Sequence, residues 1–241
     1  MVILKPAKSG STFLNYKQTF SLVLMAIEDA NYKFLYVNVG AQGRISDAGV
    51  FNNCNFFTAL QSDVLGLPKP CELPNSSVVA PYMLVADDAF PLSKNIMKPF
   101  PKRNLSECQR IFNHRLSRAR RVVENASGIM SAKFRVYKSP MALKNSSVKS
   151  VVLATACLHN FLRDRQIQSG TDSDDHVVVG EDTADELDED EGKNSGGLLP
   201  MKSVAGRVSA DAKALRQTLA IYFANEGAVT WQWKSTGLRC D

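Results

Sequence analysis

The 241-residue chain contains no run of about eighteen apolar residues, so nothing in it is long enough to span a membrane as a helix. Paired cysteines are missing as well. Cys54, Cys71, Cys108, Cys157 and Cys240 are scattered, odd in number and nowhere in a CxxC pair. That pattern fits free thiols in a reducing compartment better than a disulfide framework or a zinc site. The first residues, MVILKPAKSG, lack both a charged leader and a small-residue cleavage site, so no targeting peptide is expected there. These absences predict an intracellular, soluble chain, and its 44% hydrophobic content is enough for one sizeable core.

One stretch combines an absence of basic residues with a dense run of acids. Between Thr171 and Glu191, TDSDDHVVVGEDTADELDEDE carries eleven acids and no Lys or Arg. The formal net charge of +5 hides this segregation: the rest of the chain sets 29 Lys and Arg against 13 acids, a surplus of 16. Such a surplus points to a polyanionic partner, nucleic acid first. Its plainer reading is a basic surface that merely keeps the protein in solution.

Apolar alternation suggests strands near Phe20–Ile27 and Phe34–Val39, joined by a hairpin turn at EDANY, with a strand end at Val2–Leu4. Ser46-Asp47 before an apolar segment reads as a helix N-cap. A Pro-rich, irregular stretch from Leu67 to Pro81 leads into YMLVADDAFPL, where Tyr82–Val85 reads as a short buried strand. Beyond Pro101 the pattern becomes helical. Leu116, Ala119, Val123, Ala126 and Met130 form one apolar stripe, with Arg115, Arg118, Arg120 and Arg121 off it. Val148 to Asp164 reads as a core helix. Val208, Ala212, Leu215, Leu219 and Tyr222 mark another, docking through Phe223, Trp231 and Trp233. The expected division is a domain over 1–166, an acidic, disordered linker over 167–200 and a C-terminal helical tail over 201–241.

Two neighbouring aspartates leave the short strand, Asp87 and Asp88, and Glu124 follows 37 residues after Asp87 beside the helical stripe. Rigid elements could fix their separation, as a metal site requires. Spacing alone does not establish one. Acids in a DD turn are mostly solvated, and a helical Glu among arginines is usually an ion-pair partner.

Longer motifs are more specific. SGSTFLNYKQTFSLVLMAIEDANYKFLYVNVGAQGRISDAGVF, ADDAFPL, RIFNHRLSRARRVVENASG and ACLHNFLRD occur in one order that resembles the transposase-derived nucleases of the PIF/Harbinger group. The resemblance covers roughly Val2 to Asp164, and YFANEGAVTWQW is similar to that family's C-terminus. It implies an α/β, ribonuclease-H-like core of the DDE transposase type, a mixed sheet flanked by helices. It also implies three carboxylates holding two divalent cations, Mg²⁺ or Mn²⁺, for phosphodiester hydrolysis or strand transfer on DNA in the nucleus. Two hard cations about 4 Å apart can clamp the attacking and leaving oxygens, and hard cations prefer carboxylate oxygen.

By that resemblance Asp87 is the second family acid and Glu124 the third, with Asp88 a candidate supporting group. Asp47 matches a recurrent SD of the family; the helix-cap reading is preferred to a metal role. Arg115, Arg118, Arg120 and Arg121 suit DNA phosphate contacts, or else form solvated helix surface. The first family acid lies in an Asp-Gly-x-His pattern just before the segment matched by VILKPAKSGS, so the core is expected to be incomplete at its first strand and activity impaired. Ala48 and Ala86 stand where relatives usually have Gly, and Ser127 where an aromatic is usual. The alternatives are a domesticated, inactive DNA- or protein-binding module, or a fragment of an active parent. A separate Myb/SANT-like DNA-binding protein is an implied partner. His159 and Asn160 read as a buried polar pair joining two helices, and His114 as a phosphate contact or helix cap.

Overall fold

The computed structural model describes residues 1–170 and 209–236, and the acidic segment read as a linker falls outside them. The described residues gather into two compact units, 1–58 with 122–170, and 59–121 with 209–236.

In the first unit, β1 (Leu22–Glu28) and β2 (Phe34–Gln42) pair antiparallel. Their turn is organised by Asp29, whose Oδ1 accepts from the backbone N–H of Asn31 and of Lys33, both at 2.9 Å. The expected strand at Val2–Leu4 lies along β1. Ile3 N–H donates to Phe20 O and Leu22 N–H to Met1 O, each at 2.9 Å, and Ile3 also bridges in parallel to Met141. Just past β2 the chain runs so close to the segment before β1 that a Cβ on Gly43 would sit 2.6 Å from the Phe13 carbonyl oxygen and 2.8 Å from that of Ser21. Only glycine fits there.

Two helices complete this unit. Ser46 caps α1 (Asp47–Asn52) by accepting from Gly49 N–H at 3.3 Å. α4 (Asn145–Ser169) begins three residues before and ends five residues after the expected span, and stops at Gly170 in the left-handed conformation. Its Val148 and Val152 bury themselves with Ile3, Leu22 and Met141, while Ala156 joins Phe34, Ala126 and Met130. A fully buried side chain of this size stabilises by about 1.5–3 kcal/mol.

In the second unit the Pro-rich stretch is less irregular than its composition suggests. It holds an antiparallel pair, β3 (Cys71–Glu72) with β4 (Val79–Ala80). The expected strand at Tyr82–Val85 shortens to β5 (Leu84–Val85) and is not buried: Tyr82 and Val85 are exposed. β5 pairs in parallel with β6 (Ile96–Met97), and it is β6 whose side chains enter the core. The sequence reading placed burial on the wrong partner because both are brief apolar runs without periodicity. A further helix, α2 (Asn55–Gln61), was not anticipated.

α3 (Glu107–Lys133) opens with a reciprocal cap: Ser106 Oγ accepts from Gln109 N–H and Gln109 Oε1 accepts from Ser106 N–H. Phe112 and Leu116 sit in the second unit's core, and Ala126 and Met130 in the first's. The predicted continuous stripe is therefore broken, since Ala119 and Val123 between them are exposed. α5 (Ala210–Ala224), capped by Ser209, and α6 (Thr230–Thr236) belong to the second unit. Ala212, Leu219 and Ala220 pack there with Leu92, Met97 and Phe100, so the C-terminal helices share this core rather than trail from it. Val208, read as the first residue of their stripe, lies outside the described residues. The molecule is thus mixed α/β, with three two-stranded sheets among the described residues.

Candidate functional site

The acidic turn is built by the parallel pairing of β5 with β6. Leu84 N–H donates to Asn95 O at 2.8 Å and Ala86 N–H to Met97 O at 2.9 Å, which carries the ladder up to Asp87. There the side chain takes over: Asp87 Oδ1 accepts from Ala89 N–H at 2.9 Å and turns the chain. Its other oxygen, Oδ2, faces Arg120 Nη2 at 3.8 Å, with both side chains about one-third exposed. Asp88 points away to Lys98, whose Nζ lies 2.9 Å from Oδ1 and also donates to the Asp88 carbonyl at 2.6 Å. Lys98 directly follows β6, so the same pairing that places the acids places their cation. Partly exposed pairs of this kind contribute about 0–1 kcal/mol each.

Of the four arginines proposed for phosphate contact, three have defined partners in the second unit. Arg115 donates from Nη1 to Gly227 O at 2.5 Å and lies 4.1 Å over the Phe223 ring. Burial lowers its pKa, an effect partly opposed by Tyr222. Arg118 lies 4.1 Å over Trp231. Arg120 faces Asp87, and Arg121 is half-buried on α3. His114 lies in the middle of α3 with its ring 5.8 Å from that of Trp231, so it caps no helix end.

The remaining candidates fall in the first unit. Asp47 is in the first turn of α1, next to the capping Ser46, and Glu124 is exposed on α3. His159 is buried and Asn160 half-buried, both hydrogen-bonded, but they join a helix to a hairpin rather than two helices. His159 Nε2 lies 2.7 Å from Tyr32 O, and Asn160 both donates to Phe34 O at 2.9 Å and accepts from Phe34 N–H at 2.8 Å. Arg163 and Asp164 extend the seam: Arg163 Nε donates to Asn31 O at 3.1 Å, and Asp164 pairs with Lys33 at 2.7 Å. The pattern L-H-N-F-L-R-D thus specifies how α4 grips a β-turn.

Sequence reading missed Lys98, Arg216 and Glu28. Lys98 would have been found had Ile96-Met97 been read as a strand beside Leu84-Val85. Arg216 lies 4.1 Å over Phe100 and donates to Pro99 O at 2.9 Å, and burial lowers its pKa against the opposing pull of Asp88. Glu28 ends β1 with neither carboxylate oxygen hydrogen-bonded, and burial raises its pKa from 4.5 to about 7. No local pattern distinguishes it from the turn-forming Asp29 beside it, whose Oδ1 accepts two backbone N–H groups.

The donors match a hard divalent cation in chemistry but not in number. Among the described residues no three His, Cys, Asp or Glu side chains come together as a ligand set. Asp87 and Asp88 each face a fixed side-chain cation instead. The residues present therefore do not by themselves fit a two-metal site. Among the described residues no helix is long and apolar enough to cross a membrane.

Residues 1–160 match a family described as DDE superfamily endonuclease. Protein ALP1-like from Arabidopsis thaliana is 25% identical over 162 residues, which are 67% of this chain and 40% of that protein. The chain thus spans about 40% of the length of this curated relative. No solved structure matches.

Proposed function

The chain belongs to the DDE superfamily endonucleases, and we propose that it acts on DNA through the Harbinger-type arrangement its motifs resemble. The observation that carries this reading is the family match over residues 1–160 together with Asp87 at the exit of β5. Endonucleases of this superfamily depend on a divalent metal. Asp87 and Glu124 are the two carboxylates of this chain assigned to it, and Mg²⁺ and Mn²⁺ are the ions proposed. The chain's own residues otherwise bind and orient. Lys98 holds the acidic turn, and the basic surplus outside the acidic segment draws in the phosphate backbone.

A supercoiled-plasmid nicking assay in Mn²⁺ tests the assignment. Wild type should nick measurably faster than the Asp87→Asn, Glu124→Gln double variant, and equal rates would overturn catalysis by this pair. A second reading, a DNA-binding module without catalysis, is favoured by the pairing of Asp87 with Arg120 and of Asp88 with Lys98. Salt-sensitive DNA retention with equal nicking rates would select it.

The ribonuclease-H-like core is proposed with the function. The N-terminal segment lying beside the β1–β2 hairpin supports it, and an experimental structure with no larger sheet around β1 would contradict it. A nuclear location and a Myb/SANT-like partner complete the proposal. A fluorescent fusion excluded from nuclei would refute the first, and co-precipitation tests the second.

A further inference from the structure

We propose that the hairpin tip at residues 15–18 is a contact site for unpaired DNA, with the Tyr16 ring stacking on an open nucleobase and Lys17 meeting the adjoining phosphate. The proposal rests on the DNA-acting reading above and deepens it: a loop of the first unit holds the strand where its bases are unpaired.

The first acid of the chain is Glu28, so residues 1–27 carry Lys5, Lys8 and Lys17 with no opposing side-chain charge. Residues 19–21 lie between two antiparallel neighbours, bridged by Val2 to Ser21 and by Leu14 to Phe20. Asn15 closes the tip. Its N–H donates to Thr19 O at 2.9 Å, and its Oδ1 accepts from Thr19 N–H at 3.0 Å and from Thr19 Oγ1 at 3.1 Å. Its Nδ2 donates to Ser21 Oγ at 3.1 Å. Gln18 N–H donates back to Asn15 O at 3.0 Å, with Gln18 itself in the left-handed region at φ 58°. Tyr16 and Lys17 are thus the two central residues of a tight turn on a hydrogen-bonded scaffold.

This scaffold presents an aromatic ring to water beside a positive charge. Tyr16 is 74% exposed, more than any other large hydrophobic side chain among the described residues. Lys17 Nζ lies 5.6 Å from the centre of its ring, and Lys5 Nζ lies 5.5 Å from that of Phe20, two residues beyond the tip. Both lysines and Lys8 are exposed. A ring left in water adds nothing to the core, and with two side-chain torsions it loses little entropy when a ligand fixes it. Every nucleobase has a π-face, so stacking on tyrosine needs an open base but no particular sequence. In a paired duplex those faces are stacked on one another, whereas a single strand or an unpaired base offers them. The phosphate attached to a stacked base comes within reach of a neighbouring lysine, and the lack of acids leaves its approach unopposed. An apolar protein partner would use the ring alone; a polyanion with π-faces uses the ring and the lysines together.

Fluorescence anisotropy of labelled oligonucleotides tests this on the full 241-residue chain. Wild type, Tyr16→Ala, Tyr16→Phe and Lys17→Gln are titrated with a short DNA single strand, its fully paired duplex and an RNA strand of the same sequence, each over a salt series. Tyr16→Ala should bind the DNA single strand about five- to a hundredfold more weakly than wild type, and the duplex almost as well. Tyr16→Phe keeps the ring and should bind as wild type does. Lys17→Gln should lower the single-strand salt slope by about 0.7, a slope that Tyr16→Ala leaves unchanged. Equal single-strand affinity in wild type and Tyr16→Ala, equal losses on single strand and duplex, or a loss in Tyr16→Phe as large as in Tyr16→Ala would each overturn stacking by Tyr16. An unchanged salt slope in Lys17→Gln overturns the phosphate contact. Dependence on Tyr16 with the RNA strand alone overturns the choice of DNA. Salt-sensitive duplex binding beside any of these failures leaves the DNA-acting reading standing, whereas a wild type that binds neither form of DNA overturns both.

Discussion

Glu28 and His159 lie near the two ends of the β1–β2 turn region and respond to pH in opposite senses. Burial raises the Glu28 pKa from 4.5 to about 7. Its favourable contribution is therefore complete below 4.5 and is lost as pH rises through about 7. His159 is lowered from 6.5 chiefly by burial, with the Tyr32 carbonyl opposing and Arg163 reinforcing the shift. Its contribution is present above 6.5 and is lost as pH falls through the lower folded value. Glu28→Gln should accordingly be more stable than wild type at pH 8, by about 1–3 kcal/mol, and nearly equal to it at pH 5. Urea denaturation at the two pH values checks this, and an equal difference at both would refute it. Asn160→Ala leaves the Phe34 N–H and carbonyl without their partner and should cost about 2–4 kcal/mol, read from the same denaturation curves. Here the sequence announced that His159 and Asn160 are structural, because a polar pair inside an apolar helix must be hydrogen-bonded. It could not announce the partner, which lies 126 residues away.

At the scale of elements, long helices were legible and brief strands were not. α3 and α4 carry enough periodicity to be recognised, whereas β3, β4 and β6, two residues each, went unread and β5 was read two residues too long, because such strands take their form from pairing. The arginines of α3 show the same limit. Charge on a helix suggests phosphate contact, but aromatic residues more than a hundred positions later decide that Arg115 and Arg118 lie over rings. Arg115→Ala removes the bond to Gly227 O and the stack on Phe223. It should loosen α6, raising amide hydrogen exchange over residues 230–233 and lowering stability by about 2–3 kcal/mol. Gly227 is the matching constraint: a Cβ there would come within 2.4 Å of the Tyr222 ring, so Gly227→Ala should displace the carbonyl that Arg115 grips. Unchanged exchange in Arg115→Ala would show that the docking of α6 does not depend on it.

For the whole molecule, family membership rests on motifs spread over residues 1–160, while the acidic turn is local to one unit. The order of motifs made the family readable. The ion pairs at Asp87 and Asp88 were not readable, since they depend on which short apolar run pairs with which. The central claim is that this chain acts on DNA, and it is reached most directly by measuring affinity for a short duplex across a salt series. The account predicts binding whose logarithm falls linearly with the logarithm of salt concentration, as about 0.9 per phosphate contacted, in wild type and in Asp87→Asn alike. Affinity that is absent at low salt, or indifferent to salt, would contradict it.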